Sequence, residues 1–266
     1  MYATTYHKAS SLDDAVAKLG GAEDGKFLSG GQTLLATMKQ RLAAPTDLVD
    51  LTKIPELKGI TLDGDTVTVG AASTHYEVHS SDAVKSAIPA LAALAGLIGD
   101  PAVRNMGTMG GSVANNDPAA DYPAALVGLN ATVHTNKRAL SADDFFTGMF
   151  ETALEEDEVI VKISFPAPEK AGYEKFRNPA SRYAMCGVMA VKLKDGSVRV
   201  AVTGAGSDGV FRVPEMEQAL AANWSPDAVA SITVSPDDMI GDLHGSPEYR
   251  AHLVTVMAKR AVAAAG

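Results

Sequence analysis

The apolar and polar positions of the chain follow two different periods. Short apolar runs and runs that alternate predict strands, and apolar residues three and four apart predict helices. Strands are predicted at 26–28, 47–51, 60–62, 67–69, 159–165, 183–193 and 198–203. Helices are predicted at 12–19, 34–42 and 88–98 and in stretches that begin at 121, 214, 225 and 246. Strands precede helices in each part of the chain, which predicts α+β units rather than one doubly wound sheet.

Turn signals join some of the predicted strands into hairpins and divide the chain into units. Asp63-Gly64-Asp65 and Lys194-Asp195-Gly196-Ser197 each lie between two predicted strands and indicate hairpins. Pro166-Ala167-Pro168 is the strongest domain boundary, and a second break falls near Lys53-Ile54-Pro55. The sequence therefore predicts three units, at residues 1–52, 53–168 and 169–266.

Two glycine segments are the main candidates for ligand binding. They are Ser29-Gly30-Gly31-Gln32-Thr33 and Thr108-Met109-Gly110-Gly111-Ser112. The first lies between a predicted strand and a predicted helix, where free N–H groups and the helix dipole favour an anion. Adjacent glycines let the backbone approach phosphate oxygens, and the hydroxyls add donors. Two such segments could close on the diphosphate of a dinucleotide, although a single Gly-Gly pair is more often an ordinary tight turn.

Composition narrows the class of protein. The net charge of −9 argues against a nucleic-acid surface. No apolar run approaches the roughly 20 residues of a transmembrane helix, and the N-terminus lacks the features of a signal peptide, so a cytoplasmic location is expected. Cys186 is the only cysteine, which excludes an internal disulfide or an iron–sulfur cluster held within this chain. Its apolar neighbours predict a buried, inert thiol.

Other motifs lack the context that their chemistry needs. Residues 204–209 match G-x-G-x-x-G after a strand, but no helix follows at once, which favours a glycine turn over a Rossmann fingerprint. His75 and His79 have a metal-chelating spacing without further ligands, which favours a solvated helix face. The acidic run 155–158 indicates a charged turn. No catalytic side chain and no metal ligand is predicted, so a cofactor must supply any chemistry.

Several segments resemble a known family. Residues 27–35, followed by Met38-Lys39, resemble the first FAD motif of the molybdenum hydroxylase flavin subunits, and residues 99–115 resemble the second. Residues 117–121, 178–184 and 203–206 continue the likeness in the same order, with the medium subunits of aerobic carbon monoxide dehydrogenases nearest. The chain departs from the usual pattern at Ser29, where alanine is usual, and at Gln32 and Thr33, where histidine and serine are common.

The resemblance implies a fold and a set of binding residues. Two α+β subdomains, 1–52 and 53–168, would clasp an extended FAD, and residues 169–266 would form a flavoprotein domain of antiparallel strands packed with helices. The glycine segments would grip the diphosphate, Ile98 and Gly99 would lie near the flavin, Asn115 and Asp121 would contact the ribose or adenine side, and Tyr183 would lie against the isoalloxazine. The FAD-binding residues implied are Leu28, Ser29, Gly30, Gly31, Gln32, Thr33, Leu34, Ile98, Gly99, Thr108, Met109, Gly110, Gly111, Ser112, Asn115, Asp121 and Tyr183.

The same resemblance implies a function. The FAD would take electrons from a [2Fe–2S] small subunit, which is supplied by a molybdopterin-binding large subunit, and pass them to an external acceptor. The assembly would be a dimer of heterotrimers. A stand-alone FAD-dependent oxidoreductase and a non-catalytic dinucleotide-binding module remain as alternatives. The sequence leaves open the substrate (carbon monoxide, an N-heterocycle or an aldehyde) and the acceptor (quinone, NAD or oxygen).

Overall fold

The computed structural model describes residues 2–265, whose strands form three larger sheets and one two-stranded hairpin. The larger sheets follow one another along the chain, each with its own helices. Parallel and antiparallel strands are both present, and the molecule is of the predicted α+β class.

The first sheet is parallel, with its strands in the order β1-β3-β2. Its elements are β1 (Thr5–Lys8), α1 (Leu12–Gly20), β2 (Gly25–Leu28), α2 (Leu34–Lys39), β3 (Asp47–Asp50) and a 3-10 helix (Pro55–Leu57). Ser11 begins α1 by accepting a hydrogen bond from the Asp14 N–H at 3.1 Å. Because parallel strands end at the same edge, the end of β2 places the first glycine segment at the carboxyl edge of this sheet.

The second sheet is antiparallel, with the order β4-β5-β10-β6-β7. Its part of the chain contains β4 (Ile60–Asp63), β5 (Thr66–Gly70), α3 (His75–Ser80), α4 (Asp82–Ala87), α5 (Pro89–Gly96), α6 (Pro101–Met106), α7 (Met109–Asn115), α8 (Tyr122–Gly128), β6 (Thr132–Thr135), β7 (Ala139–Ser141), α9 (Ala142–Phe145), β8 (Phe146–Gly148), β9 (Glu151–Thr152) and β10 (Ile160–Pro166). Leu91 and Leu126 from the helices pack with Val133 and Phe165 from the strands in one buried cluster.

The third sheet is antiparallel and keeps chain order, β11-β12-β13-β14. Its elements are β11 (Lys170–Arg177), β12 (Ala184–Lys192), β13 (Val198–Thr203), β14 (Phe211–Arg212), α10 (Pro214–Ala222), a 3-10 helix (Pro226–Val229) and α11 (Pro247–Ala264). The long helix α11 packs on β11 and β12. Cys186 on β12 is fully buried, and burial raises the pKa of its thiol to about 12, which confirms the prediction of an inert thiol.

Most elements that the periodicity predicts are present, with shifted ends. Both predicted hairpins form, as β4–β5 and β12–β13. The helix predicted at 34–42 ends at Lys39, and Arg41 beyond it has a φ of 63°. The stretch from Ser225 is only a 3-10 turn. The edge strands β1 and β7 were not predicted, because the sequences Thr5–Lys8 and Ala139–Ser141 contain no run of large apolar residues.

The three units are joined by shared cores. Ala72 and Val159, from the second part of the chain, pack with Val49 of the first sheet and with Leu57 of the 3-10 helix that follows it. Tyr173 and Met189, from the third sheet, belong to the cluster under the second sheet. The division at residues 52/53 and 168/169 stays a prediction.

Candidate functional site

One large cavity of about 720 Å³ lies where the three sheets meet. Its walls come from residues 26–34 of the first sheet region, from 71–121 and 154–160 of the second, and from 175–183 of the third. The volume falls within the roughly 300–1,000 Å³ that is usual for cofactor and ligand sites. The predicted residues that line it are Leu28, Ser29, Gly30, Gly31, Gln32, Thr33, Leu34, Ile98, Gly99, Thr108, Gly110, Gly111, Ser112, Asn115, Asp121 and Tyr183.

The first glycine segment presents unpartnered donors to this cavity. The four backbone N–H groups of residues 30–33 donate to no other group within residues 2–265. Gly31 has a φ of 69°, a conformation that favours glycine and turns the chain from β2 towards α2. Consecutive N–H groups around such a residue form a concave anion site. The segment therefore suits a phosphate or diphosphate.

The two glycine segments touch each other directly. Ser29 Oγ and Thr108 Oγ1 are 2.8 Å apart across 79 residues of sequence. Thr108 also begins α7, because its hydroxyl accepts a hydrogen bond from the Gly111 N–H at 3.2 Å. A side chain on Gly30 would place its Cβ 2.2 Å from the Met106 carbonyl oxygen, so the close contact of the segments requires glycine there.

The start of α7 differs from the expectation for the second segment. The Met109 N–H donates to Ser73 O at 3.0 Å, and the Gly110 N–H donates to Ala71 O at 2.8 Å. The Met109 side chain is fully buried in the core and does not line the cavity. A Cβ on Gly110 would lie 2.6 Å from the Ala71 Cβ. Gly110 is therefore demanded by the packing of α7 on the end of β5, and these two N–H groups are not free for phosphate.

Ile98 and Gly99 form a fixed loop at the cavity wall. The Arg104 guanidinium on α6 donates through Nη1 to Ile98 O at 2.9 Å and to Gly99 O at 3.0 Å. Asp100 begins α6 by accepting from the Val103 N–H at 2.9 Å. These bonds hold the loop without using its side chains, so its surface stays open to a ligand.

Asp121 is not a free carboxylate. Lys175 Nζ lies 2.9 Å from Asp121 Oδ1 and 3.0 Å from Oδ2, and the Tyr173 hydroxyl donates to Oδ1 at 2.5 Å. Burial and the Asp121 charge raise the pKa of Tyr173 well above its ordinary value. Burial, then the charges of Asp117 and Asp121, also raise the pKa of Tyr183. Tyr183 also lines a small second pocket together with Pro118 and Ala119, so it lies close to the loop that carries Asp121.

Sequence reasoning missed three buried ionisable groups in the cavity wall. They are His75, Glu158 and Lys175. Glu158 is buried, and its carboxylate binds the Arg138 Nε at 3.0 Å and Nη2 at 2.9 Å, which lowers its pKa to about 2. Its neighbours Glu155 and Asp157 pair with Lys137, as expected for a charged turn. No local pattern identifies these residues, because their partners Tyr122, Arg138 and Asp121 lie 20 to 54 residues away.

The expectation of a solvated face for the histidine pair is wrong for His75. Its imidazole is buried, with Nδ1 3.3 Å from the Tyr122 hydroxyl. Burial, reinforced by the Arg104 charge, lowers its pKa to about 4. His79 is exposed and donates through Nδ1 to Ala92 O at 2.8 Å. Among residues 2–265, no group of three His, Cys, Asp or Glu side chains is placed to hold a metal ion.

Residues 204–209 form a turn between β13 and β14, as their sequence context predicted. The Gly204 N–H donates to Pro118 O at 2.8 Å, and the Gly204 carbonyl accepts from Arg250. In the part of the chain that the structure describes, no helix has the length and apolar character that a membrane crossing needs.

Comparison with known proteins agrees with this geometry. Residues 2–168 match the family model described as FAD binding domain in molybdopterin dehydrogenase. The carbon monoxide dehydrogenase medium chain of Hydrogenophaga pseudoflava is 36% identical, over 98% of this chain and 96% of its own length. The nicotine 6-hydroxylase medium subunit of Paenarthrobacter nicotinovorans is also 36% identical, over 99% and 98%. A chain of the reconstituted carbon monoxide dehydrogenase of Oligotropha carboxidovorans superposes with a TM-score of 0.88 at 32% identity, covering 99% of this chain and 97% of that one.

The chain therefore belongs to the family of FAD-binding domains of molybdopterin dehydrogenases, as an FAD-binding oxidoreductase subunit of the molybdenum hydroxylase type. The residues in the cavity fit this cofactor, because the four residues 30–33, whose N–H groups have no acceptor within residues 2–265, line the cavity and can bind a diphosphate. The full-length similarity to medium subunits favours this function over a stand-alone oxidoreductase or a non-catalytic module.

Proposed function

We propose that this chain is the flavin-carrying medium subunit of a heteromeric molybdenum hydroxylase and that its FAD occupies the cavity between the three sheets. The observation that carries the proposal is the run of four unpartnered N–H groups at residues 30–33, which opens into a cavity lined by all three parts of the chain. A dinucleotide is long enough to contact all of these walls at once.

In this proposal, each wall of the cavity contributes to binding a different part of FAD. The N–H groups of residues 30–33 bind the diphosphate, and the Ser29–Thr108 hydroxyl pair holds the two glycine segments at the spacing that the diphosphate needs. The loop at Ile98 and Gly99 and the side chain of Tyr183 bind the isoalloxazine. Asn115 supplies an amide for the ribose or adenine side. When bound, FAD supplies a redox centre that accepts electrons in pairs and releases them to an acceptor.

The partners follow from the names of the relatives. Both curated relatives at 36% identity are medium chains or subunits, which supports a complex with a [2Fe–2S] small subunit and a molybdopterin-binding large subunit. Tyr183 lines the cavity and is 50% exposed, and Met106, next to cavity residue Gly107, is 58% exposed. Such apolar exposure at the mouth of the cavity suits a docking surface for the electron donor. A cytoplasmic location and an arrangement as a dimer of heterotrimers stay predictions.

The substrate does not follow from this chain. Relatives named for carbon monoxide and for nicotine are equally identical to it, at 36%. We therefore assign the substrate to the molybdopterin-binding partner and propose no single one.

The test of the proposal is the flavin content of the complex purified with its native partners. We expect the visible absorption bands of flavin and FAD on extraction. In the variant Thr108→Ala we expect FAD affinity to fall by up to about thirtyfold, because it loses both the cap of α7 and the hydrogen bond to Ser29, worth about 1 kcal/mol each.

The matched control is Ser11→Ala, which removes the N-cap of α1 away from the cavity. It should lose about 1 kcal/mol of stability and keep its full FAD affinity. A wild-type complex without flavin would contradict the proposed function. Equal FAD affinity in the two variants would contradict the proposed diphosphate site.

A further inference from the structure

A lysine is buried in the cavity wall, and its contribution to the stability of the fold does not explain why a charged residue is there. Lys175 lies on β11, and its side chain is 1% exposed. It pairs with Asp121, which also accepts a hydrogen bond from Tyr173. Burying such an ion pair carries a desolvation penalty, and apolar residues of the same size often give equal or greater stability. Stability alone therefore does not account for a lysine at this position.

The ammonium group of Lys175 has a donor left for a ligand. It carries three N–H groups, and the two carboxylate oxygens of Asp121 are the acceptors that it contacts within residues 2–265. Lys175 and Asp121 both line the cavity. A fixed, water-poor cation with one N–H that Asp121 does not use thus forms part of the cavity wall.

The position of this cation within the cavity follows from Tyr183. Tyr183 directly precedes β12, whose Ala184 pairs with Arg177, two residues beyond Lys175 on β11, and Tyr183 shares a small second pocket with Pro118 and Ala119 of the loop that carries Asp121. In the proposed function, Tyr183 lies against the isoalloxazine. The Lys175–Asp121 pair therefore belongs to the ring end of the cavity.

We propose that Lys175 sets the reduction potential of the bound flavin, with Asp121 and Tyr173 as the positioning residues that hold its ammonium group at the ring. This inference rests on the proposed function. Reduction adds negative charge to the ring, and a cation in a wall of low dielectric stabilises that charge more than bulk water does. Asp121 opposes this effect in part, so the potential depends on the balance of the pair.

Because the charges of Lys175 and Asp121 oppose each other, removing one or the other should shift the flavin reduction potential in opposite directions. In Lys175→Met the carboxylate of Asp121 remains, and the flavin potential should fall. In Asp121→Asn the ammonium group remains, and the potential should rise. We expect the ratio of FAD dissociation constants for the oxidised and reduced forms to change at least tenfold in each, which is about 30 mV for a two-electron couple. The readout is a spectroelectrochemical titration of the flavin bands in the purified complex.

The matched control is Lys192→Met on the neighbouring strand. Lys192 pairs with Glu169 at 2.9 Å, but its side chain is 32% exposed and does not line the cavity. This variant also breaks an ion pair, and the flavin potential should stay at the wild-type value.

Two outcomes separate this inference from the proposed function. A wild-type complex without FAD contradicts the proposed function. If the wild-type complex contains FAD but the flavin potential shifts in the same direction in both variants, or in neither, only the role of Lys175 is contradicted. If Lys175→Met does not fold, Asp121→Asn alone decides, and a potential at or below the wild-type value overturns the inference.

Discussion

Gly30 and Gly110 both border the cavity, but they lack side chains for reasons of packing. A Cβ on Gly30 would lie 2.2 Å from the Met106 carbonyl oxygen, and a Cβ on Gly110 would lie 2.8 Å from the Ala71 carbonyl oxygen. These neighbours are backbone atoms, which cannot turn aside as a side chain can. The small size of these residues thus brings the walls of the cavity together, and the proposed phosphate donors are the N–H groups of residues 30–33.

We predict that Gly30→Ala both destabilises the chain and weakens FAD binding. The added methyl group forces the first glycine segment away from the loop before α7, and we expect a loss of about 2 kcal/mol or more, with most of the bound flavin. The matched control is Gly20→Ala at the end of α1, where a Cβ meets nothing within 4 Å. That variant should gain about 0.5 kcal/mol. Urea unfolding and flavin extraction measure both, and full FAD content in Gly30→Ala would contradict the assignment.

Sequence reasoning succeeded where the chemistry is local. The glycine segments and the hairpin turns each have a signal within a few residues; both hairpins form and both segments border one cavity, while the contacts of these segments with FAD stay a prediction. His75 and Lys175 were missed because their burial depends on Tyr122 and Asp121, which are 47 and 54 residues away. Met109 was predicted to bind FAD as part of its segment, but the helical turn of α7 directs its side chain into the core.

At the scale of elements, α7 connects the cavity wall to a surface turn. Its last turn ends at Asn116, which is buried with a left-handed φ of 42°. The Asn116 amide donates to Gly148 O and Glu151 O at 2.8 Å each, and the Phe150 N–H donates back to Asn116 O at 3.1 Å. These three bonds fasten the β8–β9 hairpin to α7 and hold Phe150, which is 57% exposed, at its tip.

We predict that Asn116→Ala is destabilising by about 3 kcal/mol and that Asn116→Gly is less so by about 1 kcal/mol. Both variants lose the amide donors, but only alanine also carries the strain of a left-handed backbone. Asn130 separates the two effects, since it is exposed and has a φ of 53°. Asn130→Ala should show only the strain, about 1 kcal/mol, and chemical denaturation measures each variant. Equal losses for alanine and glycine at 116 would show that strain is not released there.

At the scale of the whole molecule, the cavity is the place where the three sheets meet, and its buried ionisable groups make stability depend on pH. His75 joins α3, the start of α8 and the loop at Gly107, whose Cβ position is 2.6 Å from the imidazole Nε2. The fold keeps this imidazole neutral, with its pKa lowered to about 4. Protonation of His75 therefore opposes the packing of the second sheet's helices.

We predict that the wild-type chain loses stability between pH 6.5 and pH 4 through His75. Below its ordinary pKa of 6.5 the unfolded chain binds a proton at His75, while the native imidazole stays neutral until about pH 4. At pH 5 this residue alone should cost about 2 kcal/mol relative to pH 7. Urea unfolding at the two pH values measures the loss, and His75→Gln should remove that part of it. An unchanged pH dependence in His75→Gln would show that other groups are responsible.

The positions of the cavity walls along the chain also determine when, during synthesis, a ligand can be enclosed. Chains are synthesised from the N-terminus, and the first glycine segment is complete long before β11 and the loop that carries Tyr183 exist. A ligand that touches all of these walls cannot be fully enclosed on the growing chain until residue 183 has left the ribosome. Such a ligand is therefore fully enclosed only late in synthesis. By then the N–H groups of residues 30–33 have long been synthesised, and the third sheet is already forming.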